Sequence, residues 1–293
     1  MRLLAAAALA LCSVGCAPGG DPSRSEEAIV GGTSDPGDSS IVYIHLDTAS
    51  TVSGCTGTVI APRLILTAAH CFDAGATPTV GFASSYSEPQ NVLLTPVDTW
   101  FVNPEYSKGH SDLGHDEAVI LLKKDAGVPT LPYHAGAPEP SWIGVTAKLV
   151  GYGLTSESAT TWGERRSISV PLSSYTSTQL DFVSSKTGCR GDSGGPALLT
   201  LNGVQTIVGV ASQSDCRTVT RHSRIDGDLD FINAHVAMST SGGTSGGQTT
   251  TGGAQLGGCD LAAGHGAPGA GAFAAFAAFF GLATLRTRRR TRA

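Results

Sequence analysis

Basic charge is scarce in this 293-residue chain: Lys and Arg total 19, against 24 acidic residues. Six of those 19 sit at the extreme ends, Arg2 and the five Arg of the last eight residues, so residues 3–285 carry −11. That argues against a nucleic-acid binder, which needs a basic face to neutralise phosphates. Charged residues make up only 15% of the chain while 41% are hydrophobic, the reverse of a mainly disordered composition. The length suits about one or two domains of roughly 100–200 residues. No internal repeat of 20–50 residues is present, and no metal-ligand spacing is visible.

The two ends read as delivery signals. In residues 1–16, Arg2 is the charged start and 3–11 the apolar run of a signal peptide, too short to span a bilayer that needs ~20 helical residues. Ser13-Val14-Gly15-Cys16 resembles a bacterial lipobox, which implies lipidation of Cys16; an ordinary cleaved signal is the alternative. Residues 17–28 read as a flexible pro-segment. Residues 238–258 are a Gly/Ser/Thr-rich linker. Cys259 follows, then an uncharged span at 267–285, then the terminal Arg cluster. Such an Arg cluster stays cytoplasmic, which places the preceding chain outside. Residues 259–293 resemble a MYXO-CTERM sorting tail, which implies processing near Cys259 by a sorting protease and surface display. A permanent membrane anchor is the alternative. Both readings give a secreted or surface-held protein.

Residues 29–237 form the folded body. Short β-type runs recur at 41–46, 56–60, 64–67, 118–122, 147–151, 167–170 and 206–211, punctuated by Gly, Pro, Asn, Ser and Asp. Many short strands with no helical pattern between them predict an all-β barrel or sandwich. Leu229, Ile232 and Val236 share one face of a helix expected at the end of the body. Four body cysteines, Cys55, Cys71, Cys189 and Cys216, allow three pairings. An exported chain meets an oxidising compartment, so disulfides are expected. Neighbouring pairs are the economical choice, and a 55–71 bridge is worth ~3 kcal/mol on chain-entropy grounds.

Three stretches carry reactive side chains: Thr67-Ala68-Ala69-His70-Cys71, His115-Asp116-Glu117-Ala118-Val119-Ile120-Leu121-Leu122 and Gly191-Asp192-Ser193-Gly194-Gly195-Pro196. A fourth, Ile29-Val30-Gly31-Gly32, stands at the start of the body. In the order His, Asp, Ser, these resemble the chymotrypsin-like serine protease family across essentially all of 29–237. The resemblance implies two six-stranded antiparallel β-barrels with a C-terminal helix and an active site in the cleft between them. Asp112 lies near Asp116, but the register of the apolar run after Glu117 selects Asp116. The family usually has an apolar residue where Glu117 stands. His45, His110, His115 and His222 read as surface or structural histidines.

The resemblance assigns Ser193 as nucleophile, His70 as its base and Asp116 as the group that orients and stabilises the imidazole. Gly191 and Ser193 would supply the oxyanion hole through their backbone N–H groups. It pairs Cys55 with Cys71 and Cys189 with Cys216. Cleavage after Ala28, by an activating protease or by the enzyme itself, would free the Ile29 ammonium to pair with Asp192 and form the hole. The specificity floor falls on Thr187, which bears no charge to attract Lys or Arg. The family commonly has Ser-Trp-Gly where Ala211, Ser212 and Gln213 stand, so Gln213 and Thr220 are expected to narrow the pocket. A small neutral side chain would then precede the cut bond. The expected function is endopeptidase action on proteins or peptides through an acyl-enzyme, without a cofactor. Two rivals remain: a catalytically silent binding or adhesion module on the same fold, and an esterase using the same site.

Overall fold

The computed structural model of the chain describes residues 29–86, 94–160 and 162–241. Cys16, Ala28, Cys259, the signal, pro-segment and sorting-tail regions and the proposed span at 267–285 lie outside the described residues. Among the described residues, no helix is long and apolar enough to cross a membrane.

The first half contains β1 (Thr33–Ser34), β2 (Ile41–Asp47), β3 (Val52–Ala61), β4 (Leu64–Thr67), β5 (Thr77–Gly81), β6 (Leu94–Val102) and β7 (Ala118–Leu122). Strands β2 to β7 close into a six-stranded barrel in the order β2-β3-β4-β7-β6-β5, all pairs antiparallel. The runs Leu-Ile-Leu-Thr and Ala-Val-Ile-Leu-Leu are buried on both faces, which is why they read as unbroken apolar segments. Ile44, Val59, Leu64, Leu66, Val80, Ile120 and Leu122 fill this interior.

The second half contains β8 (Thr146–Gly151), β9 (Arg166–Pro171), β10 (Ser174–Tyr175), β11 (Gln179–Val183), β12 (Pro196–Leu201), β13 (Val204–Ser214) and β14 (Val219–Arg224). They form an antiparallel sheet in the order β1-β9-β8-β12-β13-β14-β11-β10. Its six longer strands are those expected of a second barrel, curled so that β9 and β11 approach each other. The hydrogen-bond ladder does not close. The two-residue strands β1 and β10 take up the outer edges of β9 and β11 instead. Asn202 and Gly203, both at positive φ, make the tight β12–β13 turn that an Asn-Gly pair favours. Leu149, Ile168, Val170, Leu180, Phe182, Leu199 and Val208 form this second core, and Ile29 packs into it.

The terminal helix α1 spans Leu229–Ser241, four residues beyond the expected end of the body. It returns to the first barrel, where Ile232 is buried and Phe231 and Val236 pack alongside. Two disulfides, Cys55–Cys71 and Cys189–Cys216, are formed as the resemblance implied.

Candidate active site

His70 follows β4 in the 3₁₀ turn Ala69–Phe72, pinned to β3 by the Cys55–Cys71 bridge. Asp116 sits just before β7 and is fully buried. Its Oδ2 accepts a hydrogen bond from His70 Nδ1 at 2.8 Å, and its Oδ1 accepts from the His70 backbone N–H at 2.9 Å. A carboxylate only accepts, so Nδ1 carries the proton and Nε2 presents its lone pair towards the cleft. Asp112 does not compete: it is exposed and lies 4.0 Å from His110.

Sequence reasoning missed Ser212. Its hydroxyl donates to Asp116 Oδ2 at 2.5 Å, reaching across from the second sheet. The Ser223 hydroxyl accepts the Asp116 backbone N–H at 3.3 Å from neighbouring β14. Ser212 is the extra residue of a β-bulge: Ala211 pairs His222 and Gln213 pairs Arg221, with Ser212 between them unpaired. A bulge re-aims one side chain, and here it aims a hydroxyl at the buried carboxylate. The contact also moves the expected alignment by one position. Ser212, not Ala211, approaches Asp116.

Ser193 lies in the loop from β11 to β12. The loop is held by one residue of the first barrel, Thr56. The Thr56 N–H donates to the Ser193 carbonyl at 2.8 Å, and Thr56 Oγ1 donates to the Gly191 carbonyl at 2.8 Å. Thr56 Oγ1 in turn accepts from the Tyr152 N–H at 3.1 Å, and the Thr56 carbonyl accepts from Thr67 Oγ1 at 2.8 Å. Gly194 must be glycine here. Its φ is +85°, and a Cβ would fall 2.1 Å from Thr67 Oγ1 and 2.3 Å from the Thr56 carbonyl oxygen. Among the described residues, the N–H groups of Gly191 and Ser193 find no acceptor, so both remain available to a ligand. The Ser193 hydroxyl makes no hydrogen bond in this state, to His70 or to any other described residue.

Asp192 is buried behind the loop. It accepts from the Gly153 N–H at 2.8 Å and from the Cys189 N–H at 2.7 Å. Burial pushes its carboxyl up to about 7, against the two hydrogen bonds that favour ionisation. Ile29 is 1% exposed, and Val30 bridges Thr187 beside it. Glu117 is also fully buried. Burial first, and then the neighbouring Asp228 carboxyl, raises it well above the ordinary carboxylate range.

A cleft of about 690 Å³ opens beside Ser193, lined by Arg190, Ala211, Gln213, Ser214, Val219 and Thr220 among others. Thr187 lies beneath it, 1% exposed, with its hydroxyl 2.5 Å from Thr220 Oγ1 and 3.3 Å from Ser214 Oγ. Ser214 Oγ also donates to the Gly188 carbonyl, so Ser214 forms the wall expected of Gln213. The Gln213 amide turns aside instead. Its Nε2 donates to Ser111 Oγ at 3.1 Å, and its Oε1 accepts from Arg221 at 3.4 Å. His222 is buried against Phe182, and burial lowers its imidazole to about 3, which keeps it neutral.

A model of the trypsin family matches residues 29–226. Among curated proteins the chain is similar to brachyurin of Leptuca pugilator, 29% identical over 204 residues, covering 63% of this chain and 88% of that one. It is similar to chymotrypsin of Phaedon cochleariae, 24% identical, covering 66% and 76%. Chymotrypsin-like elastase family member 1 of Bos taurus is 27% identical, covering 63% and 79%.

Proposed function

Since the chain belongs to the trypsin family of serine peptidases, we propose that it is a secreted endopeptidase whose machinery is His70, Asp116 and Ser193. In this reading Ser193 Oγ attacks the scissile carbonyl while His70 Nε2 takes its proton. Asp116 holds the imidazole and stabilises its charged form. The N–H groups of Gly191 and Ser193 receive the developing oxyanion, a contribution of ~3–4 kcal/mol for each donor in comparable sites. His70 then returns the proton to the leaving amine, and water resolves the acyl-enzyme. The observation that carries the reading is the pair of amides without acceptors, placed where the His70–Asp116 couple borders the nucleophile loop.

Activation by cleavage after Ala28 fits the surroundings of Asp192. The buried carboxyl held up near 7 has no cationic partner among the described residues, and the α-ammonium of Ile29, whose side chain is already buried in the second core, would supply one. Such a pair adds little net stability, but it specifies one loop conformation. A small neutral residue before the cut bond is supported by the hydroxyls of Thr187, Ser214 and Thr220, which bond one another under the cleft and set no charge there for Lys or Arg, while Asp215 and Glu157 on the cleft lining are taken up by Thr218 and Arg217. Secretion is supported by the two disulfides. Sorting at Cys259, lipidation at Cys16 and membrane attachment through 267–285 remain part of the same proposal.

The unformed hydrogen bond of Ser193 favours one other reading, a silent binding module on this fold. Labelling with a serine-directed fluorophosphonate separates the two. The chain beginning at Ile29 should label at Ser193, the full chain far more slowly, and a Ser193→Ala variant not at all. Absence of labelling in the processed chain would leave the binding module.

A further inference from the structure

Glu105 and His115, near neighbours in the chain, meet the distant Asp228. Glu105 lies beyond β6, His115 immediately precedes Asp116, and Asp228 stands before α1. One ligand atom from each lies within 4.8 Å of the others. His115 Nδ1 lies 2.7 Å from Asp228 Oδ1, and His115 Nε2 lies 3.6 Å from Glu105 Oε2. Asp228 is buried, His115 half-buried and Glu105 exposed, so the group runs from the interior to solvent. Asn103 holds it together. Its Nδ2 donates to Asp228 Oδ1 at 2.7 Å, and its Oδ1 accepts the Glu105 N–H at 3.1 Å.

We propose that Glu105 and His115, oriented by Asp228, form a binding site for a borderline divalent cation of the Zn²⁺ type. The chemistry follows from the donors. Asp228 accepts the Nδ1 proton, which fixes the tautomer and leaves the Nε2 lone pair facing Glu105, the usual support of a metal-binding imidazole. Zinc binds nitrogen and carboxylate oxygen at about 2.0–2.2 Å, so two ligands at a tetrahedral angle sit roughly 3.4 Å apart. The observed 3.6 Å gap needs little adjustment. Imidazole with carboxylate selects zinc-like ions over calcium or magnesium, which take oxygen alone.

A second observation points to a cation. Glu117 is fully buried, has the Asp228 carboxyl and the Ser223 hydroxyl as polar neighbours, and makes no well-formed hydrogen bond through either carboxyl oxygen. Among the described residues, no Lys or Arg pairs with Glu105, Asp116, Glu117 or Asp228; the imidazoles of His70 and His115 are the basic groups beside them. An ion at the solvent-facing mouth would place positive charge beside the buried Asp228 carboxyl, where the fold sets no Lys or Arg.

The test uses the Ser193→Ala protein, which cannot digest itself and reads binding whether or not the native chain hydrolyses peptides. Zn²⁺ is titrated by calorimetry, and Co²⁺ by its visible absorption. Saturable binding is expected. Glu105→Gln, an exposed and conservative change, should weaken it at least ~10-fold. His115→Asn should abolish the Co²⁺ spectrum; Asn tolerates the left-handed backbone there, φ +56°. His110→Ala should bind as the parent does. No saturable Zn²⁺ binding at millimolar metal would overturn the proposal. So would unchanged binding in both Glu105→Gln and His115→Asn, which would place the ion elsewhere.

Discussion

Asp192 should make the uncut and cut chains respond oppositely to pH. In the uncut chain its carboxyl stands at about 7, above the ordinary 3.8, because burial penalises its charged form. The folded state therefore holds a proton that the unfolded state has released. Stability is intact below about pH 4 and falls as pH rises through 7. The gap corresponds to on the order of 4 kcal/mol. Cleavage after Ala28 would place an ammonium against the carboxylate and remove that loss, at least until the ammonium itself deprotonates near its ordinary ~8. Urea unfolding of the two Ser193→Ala chains, with and without residues 1–28, measures this directly. The uncut chain should weaken between pH 4 and 7.5 while the cut chain does not. Asp192→Asn in the uncut chain should flatten the slope. It should still fold, because only one of the Cys189 and Gly153 amides loses its acceptor, at about 1–3 kcal/mol. In the cut, otherwise native chain the same change leaves the ammonium buried without a partner, about 3–5 kcal/mol. Peptide hydrolysis should then fall by roughly a hundred- to several-thousand-fold. Parallel pH profiles for the two chains, or near-normal turnover of Asp192→Asn, would refute the reasoning.

Ser212→Ala removes a hydroxyl from the buried Asp116 carboxylate; a bond to a charged group is worth about 1.5–3 kcal/mol. Steady-state kinetics should show kcat reduced roughly 10- to 100-fold with KM little changed. In a peptide library the processed chain should prefer Ala or Val before the cut, and dominant cleavage after Arg or Phe would contradict the neutral floor at Thr187. Gly194→Ala should give little soluble folded protein by circular dichroism, since its Cβ meets the Thr56 backbone at 2.3 Å.

Much of the site was legible because chemistry writes itself into short contiguous strings. His70, Asp116 and Ser193 each sit in such a string, and the structure does place His70 on Asp116. All seven apolar runs read as strands are strands, with ends shifted by a few residues. Strands β11 and β12 and the two-residue β1 and β10 were not read as strands, and neither were β5, β6 and β14. Pro78 and Pro96 interrupt β5 and β6, and β14 reads Val-Thr-Arg-His-Ser-Arg, polar because its side chains serve the cleft and the Asp116 surroundings rather than a core. Ser212 was displaced by one because a bulge consumes a residue that no alternation pattern announces. Ser214 inherits the wall position for the same reason. Glu105, His115 and Asp228 had no common signal at all. Their proximity is a product of chain folding over 113 residues between the last two.

Thr56 fastens a seam in the molecule. Ser193 belongs to the second half by sequence, yet its loop is riveted to the first half through both the amide and the hydroxyl of this one residue. The wall strand β13 is tied across the seam as well, by Ser212 to Asp116 and by Gln213 to Ser111. A change at Thr56 or Ser212 is therefore felt at the Ser193 loop and the Asp116 carboxyl before it reaches either core.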